Sequence, residues 1–351
     1  MATWDTIIVG QGLAGTTLAW QLIDAGQRVL ILDANEEVTT SKIAAGLITP
    51  ITGQRIALSW KVEEFLPVAR KFYRALEART GELFFHDRRA VRLFSKDDER
   101  KRWAERRLRP EFAVHLSDPQ PEPLVEAELA DASGGGFEML TAQLDVAGYL
   151  AASMKCFQEM SCHRVAVLDW ANDVQFSETD VQVMGETASR VISCEGFAAK
   201  RNPYFSWVPF KAAKGDILTV KFSQPTTPRC LHAGIWLAPT KDPTVCRVGS
   251  TYDWHQLNQE PNPAAREELE TKLRALVRLP FQVINHQAAV RPIIHESKAL
   301  LGLHPVKDRL GYFNGLGSKG SLHAPWFAAC FTEFLVHGKS IPDDIDLRKN
   351  F

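Results

Sequence analysis

Three glycines near the start of the chain have the spacing of a dinucleotide phosphate site. Gly10, Gly12 and Gly15 follow the apolar run 6–9. The first glycine allows a tight turn, the second lets the backbone approach a pyrophosphate, and the third lets a helix lie near the strand. The start of such a helix offers free N–H groups and the positive end of its dipole. The motif therefore predicts phosphate binding by backbone atoms.

An acidic residue after the next apolar run completes this predicted site. Asp33 follows the run 28–32. A carboxylate there accepts hydrogen bonds from ribose hydroxyls and repels the additional phosphate of NADP. Leu18 and Leu22 lie between the two runs at helical spacing. Residues 1–33 are therefore predicted to form one β-α-β unit.

Two segments of small residues favour a flavin over a nicotinamide cofactor. Ser41 and the sequence 44–46, Ala-Ala-Gly, come where an ordinary NAD domain continues to its third strand. A second loop there would lie against an extended ligand. A glycine-rich turn at 314–320 precedes an apolar helix, whose positive N-terminus would favour the reduced, anionic edge of a flavin. Either segment alone is also compatible with a turn required only for packing.

The rest of the chain mixes helical periodicity with strand-length apolar pieces. The expected fold is α/β, with a dinucleotide-binding (Rossmann-like) FAD domain of non-contiguous segments and an inserted substrate domain of mixed or antiparallel sheet. Predicted helices cover 57–79, 145–159, 262–277 and 321–337; predicted strands cover 165–168, 190–194 and 231–237, with a turn at 240–243. The FAD domain is assigned to 1–80, 141–204 and 292–351, and the substrate domain to 81–140 and 205–291.

Composition excludes several classes of protein. Lys plus Arg (41) nearly balance Asp plus Glu (42) in 351 residues, so no bulk attraction to nucleic acid or to an anionic membrane is expected. No apolar run reaches the roughly 20 residues of a spanning helix. No basic segment precedes the first apolar run, so we expect a cytoplasmic protein without a signal peptide. The scattered cysteines and histidines show no metal-ligand spacing, so no metal is expected.

A dense basic run at 100–109 admits two interpretations. Its arginines, together with Trp103, would bind RNA phosphates and stack on a base. Acidic residues are interleaved with them, which is typical of a solvated helix face. We expect the solvated face, with nucleic-acid binding as the alternative.

In these features the sequence resembles the D-amino-acid oxidase superfamily of FAD-dependent oxidoreductases. Within it, the segment 315–325 is most similar to the flavin domain of the tRNA wobble-uridine methylaminomethyl modifying enzyme, whose pattern has Arg where this chain has Lys319. The resemblance covers most of the chain and is weak between about 85 and 140. It rests on the glycine motif with Asp33, on Ser41-x-x-Ala44-Ala45-Gly46, Ile192-x-x-x-Gly196, Lys214-Gly215-Asp216, Val248-Gly249-Ser250-Thr251 and Arg291-Pro292, and on the turn 314–320.

The resemblance implies one FAD bound in an extended form. No cysteine lies near Arg291 or the 314–320 turn, so the FAD is expected to be non-covalent. Val165 is expected to meet the adenine through its backbone. The implied cofactor contacts are Gly10, Gly12, Leu13, Ala14, Gly15, Asp33, Ala34, Ser41, Ala45, Gly46, Leu47, Val165, Gly196, Gly315, Gly317, Ser318, Lys319 and Gly320.

The implied activity is oxidation of a primary or secondary amino acid, so the expected partner is a small-molecule amine or amino acid. Hydride leaves the carbon beside the amine for flavin N5, and water hydrolyses the imine. Arg291 falls where members of the superfamily hold the substrate carboxylate. Lys319 would add a second positive charge there or stabilise the reduced flavin, and Tyr252 would line the pocket or pack in the core. The alternatives are the same chemistry on a tRNA wobble uridine and a flavoprotein without turnover.

Overall fold

The computed structural model describes residues 3–53, 55–94, 96–116, 135–294 and 298–350. It contains two large and two small β-sheets with helices packed against them, and the short segment Gly196–Arg201 is a 3₁₀ helix. The helices are α1 (Leu13–Asp24), α2 (Thr40–Ile43), α3 (Val62–Thr80), α4 (Asp97–Arg106), α5 (Pro110–Ala113), α6 (Val146–Glu159), α7 (Pro263–Leu276), α8 (Gly320–His337) and α9 (Leu347–Asn350).

A six-stranded sheet carries the predicted nucleotide motif. Its order is β18-β19-β12-β1-β2-β8, and the strands are parallel except for β18. Helices α1 and α8 pack together, and their apolar side chains share one buried cluster. The strands are β1 (Thr6–Val9), β2 (Val29–Asp33), β8 (His163–Val165), β12 (Val191–Ser193), β18 (Leu300–Leu303) and β19 (Leu310–Asn314).

An eight-stranded mixed sheet forms the second layer. Its order is β17-β13-β16-β15-β14-β6-β7-β3, and one face packs on α7 through a separate apolar cluster. The strands are β3 (Leu47–Ile48), β6 (Phe85–Leu93), β7 (Gly136–Leu144), β13 (Ala213–Phe222), β14 (Cys230–His232), β15 (Trp236–Pro239), β16 (Val245–Gly249) and β17 (Phe281–Arg291). The remaining strands form two small sheets: β4 (Ile51–Thr52) with β5 (Ala57–Leu58), and β9 (Val174–Phe176), β10 (Val181–Val183) and β11 (Glu186–Ala188).

The chain joins the two layers just after α2. Strand β3 belongs to the segment assigned to the FAD domain, yet it pairs antiparallel with β7 in the eight-stranded sheet. Gly46 precedes it with φ of +68°, and a Cβ there would overlap the carbonyl oxygen of Leu144. The close approach of two backbones therefore requires glycine at this position.

Most of the predicted elements are confirmed, with three corrections. The helices predicted over 145–159, 262–277 and 321–337 form within one or two residues, and Asn262 caps α7 by accepting the Ala264 N–H. The helix predicted from residue 57 begins at Val62, because 57–58 form a strand instead. The strand predicted over 165–168 lies at 163–165.

The single strand predicted over 231–237 is wrong. The chain reverses at Gly234, whose φ is +76°, so that β14 and β15 pair antiparallel. The alternation of apolar residues was correct, but it continues through a hairpin. No helix within the described ranges is long and apolar enough to cross a membrane.

One buried histidine gives the fold a predictable acid response. His323 lies on α8 among the rings of Trp60, Phe65 and Phe327, and its Nε2 has no hydrogen-bond partner. Burial, together with the charge of Lys319, lowers the pKa of His323 from 6.5 to about 3. The unfolded chain therefore takes up a proton near pH 6.5, whereas the folded chain does not until about pH 3. Stability is lost as the pH falls through this window.

We expect His323→Phe to reduce this acid sensitivity. Urea unfolding at several pH values between 6.5 and 4 should show a slope smaller than that of the parent by up to about 1.4 kcal/mol per pH unit. The exposed His337 at the end of the same helix offers a control. Equal slopes for the parent, His323→Phe and His337→Gln would contradict the assignment.

Candidate active site

A cavity of about 1240 Å³ is lined by residues from both sheets. This volume exceeds the roughly 300–1,000 Å³ of an ordinary small-molecule pocket. The six-stranded sheet and its loops supply glycines and carboxylates to one part of the wall. The eight-stranded sheet supplies apolar side chains and one guanidinium to the other.

The glycine turn after β1 is held by contacts that exclude any side chain. Gly10 has φ of +103°, and a Cβ there would lie 2.6 Å from the carbonyl oxygen of Cys194. A Cβ on Gly15 would overlap the carbonyl oxygen of Gly10. Gly15 thus brings α1 against the turn, and its role is to pack the helix rather than to line the cavity.

The carboxylate of Asp33 is fixed by backbone donors at the end of β2. Its Oδ2 accepts the N–H of Gln11 at 2.6 Å, and its Oδ1 accepts the N–H of Asn35 at 2.7 Å. A carboxylate offers about four lone-pair sites. It can therefore accept ribose hydroxyls while these two bonds hold its orientation.

Ser41 brings the second predicted loop to the same turn. Its Oγ accepts the N–H of Leu13 at 3.1 Å, which satisfies one free donor of the first turn of α1. A Cβ on Gly12 would lie 3.1 Å from this oxygen. The open backbone at Gly12, the oriented Asp33 and the start of α1 together fit the dinucleotide part of FAD.

The structure brings most of the predicted cofactor residues to the cavity wall. The residues from that prediction that line it are Gly10, Gly12, Leu13, Ala14, Asp33, Ala34, Ser41, Ala45, Gly46, Leu47, Gly196, Gly317, Ser318 and Gly320. Gly315 instead packs against Ile294, which its absent side chain would meet.

Val165 does not line the cavity, whereas the next three residues do. The strand ends at Val165, and the Ala166 N–H then donates to the carbonyl oxygen of Asp33. The chain therefore reaches the cavity wall at Ala166, one residue after Val165. This one-residue difference follows from the end of β8 at Val165, and no residue type in the segment signals it.

Lys319 lies away from the cavity wall. Its Nζ donates to Ser59 Oγ at 3.0 Å and lies 3.5 Å from Thr52 Oγ1, so it ties the start of α8 to the segment after β3. Burial lowers the pKa of Lys319. This placement supports a structural role for Lys319 rather than contact with a substrate or flavin.

Arg291 is buried in the wall that the eight-stranded sheet forms, and among the residues that the structure describes it has no carboxylate partner. Only 8% of the residue is exposed. Both terminal nitrogens donate to one carbonyl oxygen, that of Thr251, at 3.3 Å. Within the described residues no carboxylate oxygen lies within 4 Å of it. Burial lowers the pKa of Arg291, while Tyr252 and Asp216 oppose that shift.

Two neighbours shape the space around this guanidinium. The ring of Tyr252 lies 4.2 Å from its central carbon, and the Tyr252 hydroxyl hydrogen-bonds with Ser318 at 3.2 Å. The guanidinium also lies directly over Gly215 on β13, where a Cβ would overlap it. Tyr252 therefore lines the pocket, which is the first of the two placements expected from the sequence. Because 52% of the residue is exposed, it does not pack in the core.

The rest of the wall that the eight-stranded sheet forms is mostly apolar, and sequence reasoning missed it. Ile217, Trp236 and Ala289 come from three strands and present their side chains on the same face as Arg291. Gly249 makes room for the indole of Trp236, since a Cβ there would lie 2.7 Å from that ring. These residues stand on strands that are not consecutive in sequence, so only the pairing of strands brings them together.

The basic run forms helix α4 beside the eight-stranded sheet. Trp103 is buried in an apolar cluster with Phe112 and Phe137. Arg102 lies 3.8 Å from Asp98, and Arg106 donates to the carbonyl oxygen of Ile56. The indole is therefore not available to stack on a base. No group of metal-ligating side chains occurs in the part of the chain that the structure describes.

Comparison with known proteins identifies the family and the fold. The profile of the family described as FAD dependent oxidoreductase (DAO) matches residues 5–334. A glycine oxidase of Bacillus licheniformis is 24% identical over 92% of this chain and 90% of its own length. Two solved structures, each with 96% of its own chain covered, share the fold. They are the glycine oxidase of Bacillus cereus (TM-score 0.81, 16% identity, 96% of this chain) and the FAD-bound L-α-glycerophosphate oxidase of Mycoplasma pneumoniae (TM-score 0.72, 13% identity, 97% of this chain).

We expect Asp33→Ala to weaken FAD binding about tenfold or more, because a hydrogen bond to a charged group contributes roughly 1.5–3 kcal/mol. Equilibrium dialysis of FAD against the apoprotein measures this. Asp24→Ala removes an exposed carboxylate of α1 that pairs with Arg79, and should leave the affinity unchanged. Equal FAD affinity in the parent and Asp33→Ala would overturn the role assigned to Asp33.

Proposed function

Because the chain belongs to the DAO family of FAD-dependent oxidoreductases, we propose that it oxidises a primary or secondary amino acid at the carbon that bears the amine. FAD, when bound, supplies the acceptor for the hydride that leaves this carbon, and water hydrolyses the resulting imine. The task of the protein is to hold the substrate with that C–H bond correctly placed.

The observation that carries this proposal is the environment of Arg291. A buried cation is costly unless an anion pairs with it. Arg291 has a carbonyl oxygen and an aromatic face as partners, and its remaining N–H groups point to no carboxylate among the described residues. A planar guanidinium binds both oxygens of a carboxylate at once. A substrate carboxylate is the anion that fits this position.

The wall around Arg291 supports a substrate with one negative charge and an otherwise neutral body. The other residues that the eight-stranded sheet contributes to the cavity are uncharged, with Ile217 and Trp236 the largest. The loop after β16 adds Tyr252, Leu257 and the amide side chains of Asn258 and Gln259. A second charge on the substrate would meet no partner among the described residues of this part of the wall.

The two alternatives gain no support from this arrangement. A tRNA substrate is the alternative that the resemblance of the segment 315–325 to the tRNA-modifying enzyme implies, and it would need a basic rim around the cavity. In the basic run, however, Trp103 is buried and Arg106 donates to a main-chain carbonyl oxygen. A flavoprotein without turnover leaves the buried charge of Arg291 without an anion. We therefore retain oxidation of a small amino acid.

A direct experiment is anaerobic reduction of the purified holoprotein. Amino acids with apolar, acidic and basic side chains, secondary amino acids and bulk tRNA are added separately, and bleaching of the flavin absorption is followed. We expect reduction by neutral amino acids and not by the corresponding amides, which lack the carboxylate. Reduction by tRNA alone would overturn the proposal.

We expect Arg291→Lys to raise KM by at least about tenfold for the amino acid that reduces the flavin. Lysine keeps the positive charge but cannot bind both oxygens of a carboxylate through a planar pair of N–H donors. Steady-state kinetics measures KM and the flavin absorption reports FAD content, which should not change. Arg190→Lys is the control, since Arg190 is also partly buried and donates to a carbonyl oxygen, that of Leu335, away from the cavity. A KM equal to that of the parent in Arg291→Lys and Arg291→Ala would show that the anchor lies elsewhere.

Gly215→Ala tests the same anchor without changing its charge. The added methyl occupies the place of the guanidinium, and Gly215 does not have a positive φ, so alanine fits the backbone. We expect KM to rise about fivefold or more, since a displacement of about 1 Å is costly in an active site. Thermal unfolding should change little. An unchanged KM would contradict the close contact between Arg291 and β13.

A further inference from the structure

Behind the cavity wall, a cluster of polar side chains holds the loop that follows β16. Strand β13 alternates its side chains, so Gly215 faces the cavity while Lys214 and Asp216 face the opposite side. Both of these charged residues are only 1% exposed. Neither is used by the function proposed above, and both bond to the segment 251–262.

Asp216 joins the two ends of this loop. Its Oδ1 accepts the N–H of Asn262 at 2.8 Å and lies 2.9 Å from Nε2 of His286. The Thr251 hydroxyl donates to Asp216 Oδ2 at 3.3 Å and accepts the Asp216 N–H at 2.9 Å. The carboxylate is thus fully engaged, as a buried charge requires.

Lys214 holds the middle of the same loop. Its main chain pairs with Asp253 in both directions, at 2.8 and 3.0 Å, and its Nζ donates to Asn258 Oδ1 at 2.7 Å. Asn258 and Tyr252 line the cavity. The side chains of β13 that face away from the cavity therefore position the loop 251–262, including its residues that line the cavity.

Thr251 connects this cluster to the substrate anchor. Its side chain bonds to Asp216, and its carbonyl oxygen receives both terminal nitrogens of Arg291. A carbonyl oxygen orients the guanidinium without neutralising it. A carboxylate in direct contact with Arg291 would instead compete with the substrate. Asp216 contacts Thr251 rather than Arg291. The residues that orient the guanidinium therefore do not occupy the position where a substrate carboxylate would bind.

We infer that Asp216 and Thr251 are positioning residues, which fix the carbonyl oxygen that orients Arg291 for a substrate carboxylate. The inference rests on the proposed function, because it requires Arg291 to be the anchor. It assigns no chemical step to either residue. Their loss should weaken binding of a carboxylate while leaving FAD binding intact.

The experiment measures binding of phenylacetate to the holoprotein through the change in flavin absorption. This probe has one carboxylate and an apolar ring, which match Arg291 and the wall formed by Ile217 and Trp236; phenylacetamide is its uncharged counterpart. Thr251→Val removes the hydroxyl at constant volume, and Thr251→Ser retains it. We expect Kd for phenylacetate to rise about tenfold in Thr251→Val and to stay within about twofold in Thr251→Ser.

Asp216→Asn provides a second variant, with an expected rise of about fivefold or more in Kd for phenylacetate. Its control is Glu77→Gln, because Glu77 is also a buried carboxylate that accepts two backbone N–H groups, those of Phe84 and Phe85, and it lies away from the cavity. The control should lower stability without changing Kd for phenylacetate. In an Arg291→Ala background, Asp216→Asn should have no further effect on phenylacetate binding.

The outcomes separate this inference from its premise. If Arg291→Ala binds phenylacetate like the parent, or if the parent does not bind it, Arg291 is not the anchor, and the proposed function fails together with the inference. If Arg291→Ala abolishes binding but Thr251→Val and Asp216→Asn match the parent, the inference alone is overturned. Equal losses in Thr251→Val and Thr251→Ser would also overturn it, because they would indicate a general packing defect.

Discussion

A buried guanidinium with no carboxylate partner among the described residues is the constraint on which this side of the cavity depends. Removing a charge from water costs several kcal/mol even after the protein relaxes. Arg291 offsets part of this cost through the Thr251 carbonyl oxygen and the face of Tyr252. These contacts constrain the neighbouring chain. The loop after β16 must bring the Thr251 carbonyl oxygen to the end of β17, and β13 must have glycine at position 215, beneath the guanidinium. The local architecture thus follows from holding one guanidinium buried and oriented while leaving it able to bind an anion.

Sequence reasoning succeeded where a local backbone requirement leaves a residue signature. The turn at Gly10, the contact at Gly15 and the carboxylate after β2 are such cases, because each depends on neighbours within one β-α-β unit. It failed where strand pairing decides the outcome. Residues 231–237 alternate correctly for a strand, yet Gly234 turns them into a hairpin. Contacts between residues that are distant in sequence also leave no local signal, as the hydrogen bond from Lys319 to Ser59 shows.

The fold and the site support conclusions at different levels. The arrangement of a mostly parallel sheet beside a mixed sheet forms the cavity between them, but one fold hosts many reactions. The proposed substrate class therefore rests on the cavity wall that the eight-stranded sheet forms. There a single positive charge stands among Ile217, Trp236 and Ala289, which come from three different strands. Replacement of such residues would change the accepted substrate without altering the two layers.

The two-residue period of β13 explains how binding and positioning are kept apart. Gly215 leaves space on the cavity side, while Lys214 and Asp216 bond to the loop from the other side. Successive side chains of a strand point to opposite faces, so a change on one face does not directly disturb the other. The cavity-facing side chains of the loop, such as Leu257 and Gln259, are therefore free to differ while its anchors stay in place. A shift of one residue in the pairing of β13 would exchange the two faces, placing a carboxylate beside Arg291 and closing the substrate site.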